Sequence, residues 1–362
     1  MNSVWVGMAI VAGVAIGALG CQGTVENGTD GSVDVDGGAD AGPDAGDPGS
    51  GDPGAGDPGT GDPGAGDPGA GDGGSGVPVI GGCQIFPADN LWNTPIDTAP
   101  VHPLSDTYLQ SIGAGAQLHP DFGTVWEGYD LGIPYTTVPE DQAMVAVSFD
   151  YADESDPGPY PIPPGAPIEG GADADGDRHV LVVRQGVCIL YEMFDSWPQQ
   201  DGSWQAGSGA IWHLDRNEVR PQGYTSADAA GLAILPGLLR WEDVYEIGEV
   251  RHALRVTLSR IQRAYLLPAT HSDGQCGYDP DCPPMGLRLR MKPGVDISGF
   301  DPALQVIFRG MKRYGLVVAD TGGDMFVSGA HDDRWDDELL HDFHQLTAAD
   351  FEAVYTGEPI DY

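Results

Sequence analysis

The alternation of apolar and polar positions is clearest between His179 and Asp215. HVLVVR, the pair Gln185-Gly186 and VCILYEMFDSW read as two strands joined by a two-residue turn, a hairpin pattern. The second run is apolar on both faces, with Cys188, Leu190 and Phe194 alternating with Val187, Ile189, Tyr191 and Met193. That predicts a strand buried on both sides and central in its sheet. Further short strands are predicted over 144–149, 210–214, 253–258, 264–267, 286–291, 315–319 and 325–328. Proline-rich connectors separate them, and the stiff segment 156–171 (DPGPYPIPPGAPIEGG) is expected to form a groove wall. One helix is well marked. Asp301 suits its N-cap, Pro302 its first position, and Leu304, Ile307, Phe308 and Met311 make an apolar stripe. Lys312 and Arg313 meet the negative end of its dipole and Gly315 stops it. Thr347 with Asp350 marks the start of a last short helix. The sum is a mainly β architecture, a jelly-roll-like β-sandwich or a β-barrel with a few peripheral helices.

The N-terminal part differs in kind. An apolar, small-residue run over 4–19 is short for a membrane span and suits the core of a signal peptide, placed at 1–20. Its ending, Ala18-Leu19-Gly20-Cys21, resembles a bacterial lipoprotein signal. The resemblance implies lipidation of Cys21 and export to the outer membrane or cell surface, with secretion as the alternative. Residues 22–82 read as a tether. From Gly46 they repeat GDPGS, GDPGA or GDPGT with a period of five, so the Gly-every-third rule of collagen is not met. Gly, Pro and one charge per repeat cannot bury a core, and such a coil spans on the order of 45 Å. Residues 83–362 remain for a single globular domain.

Charge narrows the partners. Fifty-five Asp and Glu face sixteen Lys and Arg, a net charge of −39, and all the cations lie at or after Arg178. Only twelve of the acids precede Cys83, so the domain itself is strongly acidic. That sign repels phosphate backbones and argues against nucleic acid. A monomer touching membrane through its lipid alone is expected. Four cysteines beyond Cys21, with no CxxC pair, favour disulfides in an exported chain. Three connectivities are open. The expected one closes Cys276 on Cys282 around GYDPD and pins Cys83 to Cys188.

Candidate chemistry gathers near the hairpin. Glu192 lies among apolar neighbours, which raise a carboxyl's pKa and make it the leading candidate acid. Its bland alternative is a buried pair with Arg184 or Arg255. Asp195 and Asp215, at strand ends, are expected to stay ionised, and His213 shares a strand face with Asp215. An acid beside an ionised carboxylate is what glycoside cleavage uses. Tyr191, Trp197, Trp204, Trp212 and Tyr224 supply aromatic faces that could stack on sugar rings, and Arg255 could hold a uronate carboxylate. A hydrolytic triad of Ser226, Asp228 and His252 lacks a GxSxG elbow. No cofactor is expected. The alternating Asp173, Asp175 and Asp177 suggest a structural Ca²⁺ loop, or else Asp279 with Asp281, but Arg178 stands where such a loop needs Gly. The C-terminal His331, Asp332, Asp333, Asp336, His341 and His344 read first as a solvated loop entering a helix.

Two resemblances add to this. DYADESDPGPYPIP, GDRHVLVV, TSADAAGL, RHALR, PPMG and DISGF resemble a widespread, uncharacterised family of secreted bacterial proteins, over most of residues 84–362. The pieces PPMGLRLRM and YGLVVADTGGDMFVSG are similar to the three-aspartate double-psi β-barrel of lytic transglycosylases, within 283–336. That second likeness implies a double-psi core with insertions, Asp320 as the turn aspartate, and Asp333 (or Asp332) as the later acid/base. The expected function is cleavage of a polysaccharide or cell-wall glycan by carboxylate acid/base catalysis, as a hydrolase or lyase. The alternative is a non-catalytic glycan-binding or adhesive lipoprotein. A binder predicts Glu192, Asp195 and Asp215 apart or salt-bridged.

Overall fold

The structure is a computed structural model that describes residues 76–362. The signal segment, Cys21 and the repeats lie outside the described residues. The folded chain starts earlier than the composition suggested. Val77 and Ile80 are buried, and Val79–Ile80 pairs antiparallel with Cys83–Gln84. Three apolar residues in GVPVIGG, directly after the last repeat, are enough to dock the backbone.

Among the described residues, strands (26%) outweigh helices (14%) and no sheet closes into a barrel. The largest sheet has six strands in the order Phe351–Val354, Arg288–Met291, Leu316–Thr321, Leu254–Leu258, Phe326–Ser328, His119–Asp121. Its two central strands, Leu316–Thr321 and Leu254–Leu258, run parallel, with the register slipping between Val256 and Thr257. A four-stranded sheet is ordered Ser208–His213, Ile189–Phe194, Val180–Arg184, Tyr135–Val138, and a three-stranded one Trp197–Pro198, Trp204–Ala206, Val147–Phe149. Parallel pairs occur in all three, unlike the antiparallel ladders of a jelly roll.

The hairpin is present, and its second strand is central as the two-faced pattern required. Leu181, Val183 and Leu190 enter the main core, which they share with the large sheet, while Val180, Val182, Tyr191 and Met193 enter a second, smaller core. The turn is longer than expected. Arg184 pairs with Ile189, so four residues connect the strands, with Gly186 and Cys188 at φ 77 and 51. The proline-rich segment is no groove wall. It lays Tyr160, Ile162 and Ile168 onto the second core.

The marked helix runs Pro302–Arg313. Asp301 caps Ala303 N at 2.8 Å, and Leu304, Ile307, Phe308 and Met311 are buried. Gly315 follows at φ 72, a conformation glycine reaches without a Cβ penalty. Thr347 and Asp350 do form a capping pair, but only over the turn Ala348–Asp350, after which Phe351–Val354 becomes a sheet edge. Both expected disulfides are formed, Cys83–Cys188 and Cys276–Cys282.

Candidate functional site

The two central strands of the large sheet bring a cation and a carboxylate together. Arg255 lies in Leu254–Leu258 and is buried, and Asp320 ends Leu316–Thr321. Nη2 of Arg255 donates to Asp320 Oδ2 at 2.5 Å and to Asp228 Oδ1 at 2.8 Å. Nε also donates to Asp228 Oδ1 (3.0 Å), and Nη1 to Ser328 Oγ (2.8 Å). One guanidinium thus serves two acids, and Asp228 Oδ2 has no partner. The segment holding Asp228 is fixed by Ser226, whose Oγ donates to Leu232 O (2.5 Å) and accepts from Asp228 N (2.9 Å).

Their environments differ. Desolvation pushes both Asp228 and Asp320 up against the pull of Arg255, and Asp320 reaches about 8 with the charges of Asp228 and Asp273 adding. Asp320 keeps a side-chain exposure of 19%, against 0% for Asp228. The shift favours the protonated form of Asp320, which is the member of the pair with an opening to solvent.

A second pair stands close by. His179 opens the strand Val180–Arg184, and its Nδ1 meets Glu169 Oε2 at 2.6 Å while Nε2 meets Ala227 O at 3.0 Å. Both partners accept, so both ring nitrogens carry protons and the ring is an imidazolium. Desolvation opposes that charge, but Glu169 outweighs it and lifts His179 to about 9. Glu169 is desolvated too, yet the imidazolium holds it below the usual carboxylate range. Asp121, at the sheet edge, feels Glu169, Arg255 and Asp177 and is pushed up to about 6, mainly by desolvation. Asp121 is also exposed at the surface. Desolvation and exposure point opposite ways here, and the exposure matters more for chemistry because it gives the carboxyl access.

The hairpin carboxylates do not join this cluster. Glu192 is fully buried, and its oxygens are taken by Ile234 N (3.0 Å), Leu235 N (2.9 Å) and Trp212 Nε1 (3.0 Å). Burial lifts it to about 7 against those N–H groups. It is sealed from substrate, and neither expected arginine reaches it, because Arg184 binds Glu140 O. Glu192 is thus an internal anchor for the turn Leu235–Gly237, without the solvent access that a catalytic acid needs. Asp215 forms a surface pair with Arg216, Asp195 accepts from Trp197 Nε1 (2.6 Å), and His213 binds Glu218. Each of these side chains is thus engaged by a local partner. Asp333 has a side-chain exposure of 88% and faces His331 at 3.7 Å. Tyr191, Trp204 and Trp212 are core residues, which leaves Trp197 and Tyr224 exposed. Arg255, spent on Asp228, Asp320 and Ser328, positions carboxylates and is not free for a uronate.

The triad does not assemble either, since Ser226 is buried and His252 Nε2 lies 3.3 Å from Asp243. Among the described residues no three His, Cys, Asp or Glu come together to hold a metal. Beside Asp173, Asp175 and Asp177, where a calcium loop was expected, Arg178 donates to Ala172 O (3.1 Å) and Ala174 O (2.6 Å). Four contributors were not singled out in this role: Asp121, Glu169, His179 and Asp228. Asp228 carried a usable signal, a lone acid in the apolar run ADAAGLAILPGLL. Asp121 and Glu169 come from an edge strand and a loop, with nothing local to mark them. The chain matches no protein-family model, no curated protein and no solved structure.

Proposed function

We propose that the domain cleaves a polysaccharide or cell-wall glycan, with Asp320 as the proton-transferring acid and Asp121 as the second, more readily ionised carboxylate. The observation that carries this is a solvent-reaching carboxyl, Asp320, which desolvation pushes up against the pull of the Arg255 that it shares with Asp228. A general acid is most effective when its pKa lies near the working pH. Two carboxyls pushed to different pKa values are the acid/base pattern of glycoside cleavage. The glycan as substrate rests on the likeness of the ADTGG turn at Asp320 to lytic transglycosylases, and export with a lipid anchor rests on the ending at Cys21. No helix among the described residues is long and apolar enough to cross a membrane.

A binding-only module is the second reading. It is favoured by Trp126 and Tyr129, which stand exposed on the hairpin Val125–Trp126 and Tyr129–Asp130. Incubating the protein with a glycan panel separates the two. New reducing ends or unsaturated products that vanish in Asp320→Asn support catalysis. Retained glycan binding without product supports the module, and an Asp320→Asn variant of full activity overturns the acid assignment.

A further inference from the structure

A cavity of about 390 Å³ opens elsewhere in the domain and shares no lining residue with the Arg255 cluster. That volume falls in the range of about 300–1,000 Å³ usual for small-molecule sites. Its walls are mostly apolar, with Phe86, Leu91, Trp92, Ile96, Trp212 and Leu232 among them. Arg288 also lines it and is only 2% exposed.

Arg288 is unusual among the buried arginines. Arg255 has Asp228 and Asp320, Arg240 has Asp243, Arg220 has Asp156, and Arg290 has Glu352. Arg178 feels the charges of Asp195 and Asp173. Arg288 meets only carbonyls, those of Leu91 (3.0 Å), Thr94 (3.2 Å) and Tyr314 (2.5 Å). Its Nε has no acceptor. Burial alone drags its pKa down to about 9, because no described carboxylate offsets the desolvation. A buried charge without a partner is costly, and an anion that brings the missing charge gains what the protein leaves unsatisfied.

The polar groups at the cavity's edge are already engaged. Asp89 accepts from Asn217, Asn217 accepts from Asn90, and Glu218 holds His213. We propose that this cavity binds a small molecule with an apolar body and a single carboxylate, the carboxylate pairing with Arg288. The apolar body would lie against Trp92 and Trp212. The proposal is independent of the acid/base reading, and its failure leaves that reading intact.

Calorimetry of the intact protein with decanoate and with 1-decanol tests it, since the two share a body and differ in charge. One-site decanoate binding at least about tenfold tighter than decanol is expected. Arg288→Met should erase that preference. Because Arg288 also ties three carbonyls, this variant could fail to fold, so Thr356→Trp serves as a second one. Thr356 is an exposed lining residue, and the indole should block the cavity and weaken both ligands at least about tenfold. Equal affinity for acid and alcohol overturns the proposal. So does decanoate binding that Thr356→Trp leaves unchanged.

Discussion

Glu192 and Asp320 are both carboxyls buried beside main-chain donors, both raised above the usual range, and both at sites where the sequence invited a catalytic role. They differ in what surrounds the charge. Glu192 accepts only from N–H groups and has no route to solvent, so its energy goes into holding the turn at Leu235. Asp320 competes with Asp228 for one guanidinium and keeps a face open. A raised pKa marks both. Only Asp320 combines the shift with an opening to solvent, which is what the proposed acid role requires.

The sharpest way to break this contrast is activity. Asp320→Asn should lower turnover of any glycan substrate by roughly 10²–10⁴-fold, while Glu192→Gln should leave the specific activity of folded protein unchanged. The reverse ranking in a reducing-end assay would exchange the two roles. Next in size is Arg255→Met, which leaves the buried Asp228 and the partly open Asp320 without their shared cation and should cost about 3–5 kcal/mol in urea unfolding. A loss under about 1 kcal/mol would mean that Asp228 and Asp320 do not depend on that guanidinium. Smaller again is Glu192→Gln in the same assay. Its amide must turn one NH₂ toward a donor, Trp212 Nε1 or the main-chain N–H groups, at about 1–3 kcal/mol. No loss would show that the anchor is already loosely held.

The remaining test is pH dependence. Asp320 and Glu192 have folded pKa values above their unfolded ones, so the native state holds protons more tightly. Stability should therefore fall as pH rises, from about 4 to about 8 for Asp320 and from about 4.5 to about 7 for Glu192. His179, raised to about 9, adds a loss of the same sign between about 6.5 and 9. Asp320→Asn should flatten the slope up to about pH 8, and Glu192→Gln only up to about pH 7. Parallel curves for wild type and both variants would remove the pKa difference between the two sites.

What the amino-acid pattern determined was local. Asp301, Pro302 and Gly315 delimit a helix through backbone geometry and nearest-neighbour donors, which act within a few residues. The two-faced run around Tyr191 had to be buried on both sides, because apolar groups on both faces leave no solvated one. The lengths of the edge strands, the four-residue turn at Cys188 and the Phe351–Val354 edge depended on partners far away in the chain. The site depended on them most. Asp121, Glu169, His179, Asp228, Arg255 and Asp320 span two hundred residues and meet only after the parallel strands of the large sheet pair. The sequence could show that a carboxyl among apolar residues would be perturbed. Which carboxyl met a shared cation and kept an opening to water was decided by tertiary packing, since charge interaction and desolvation depend on distance in space and not along the chain.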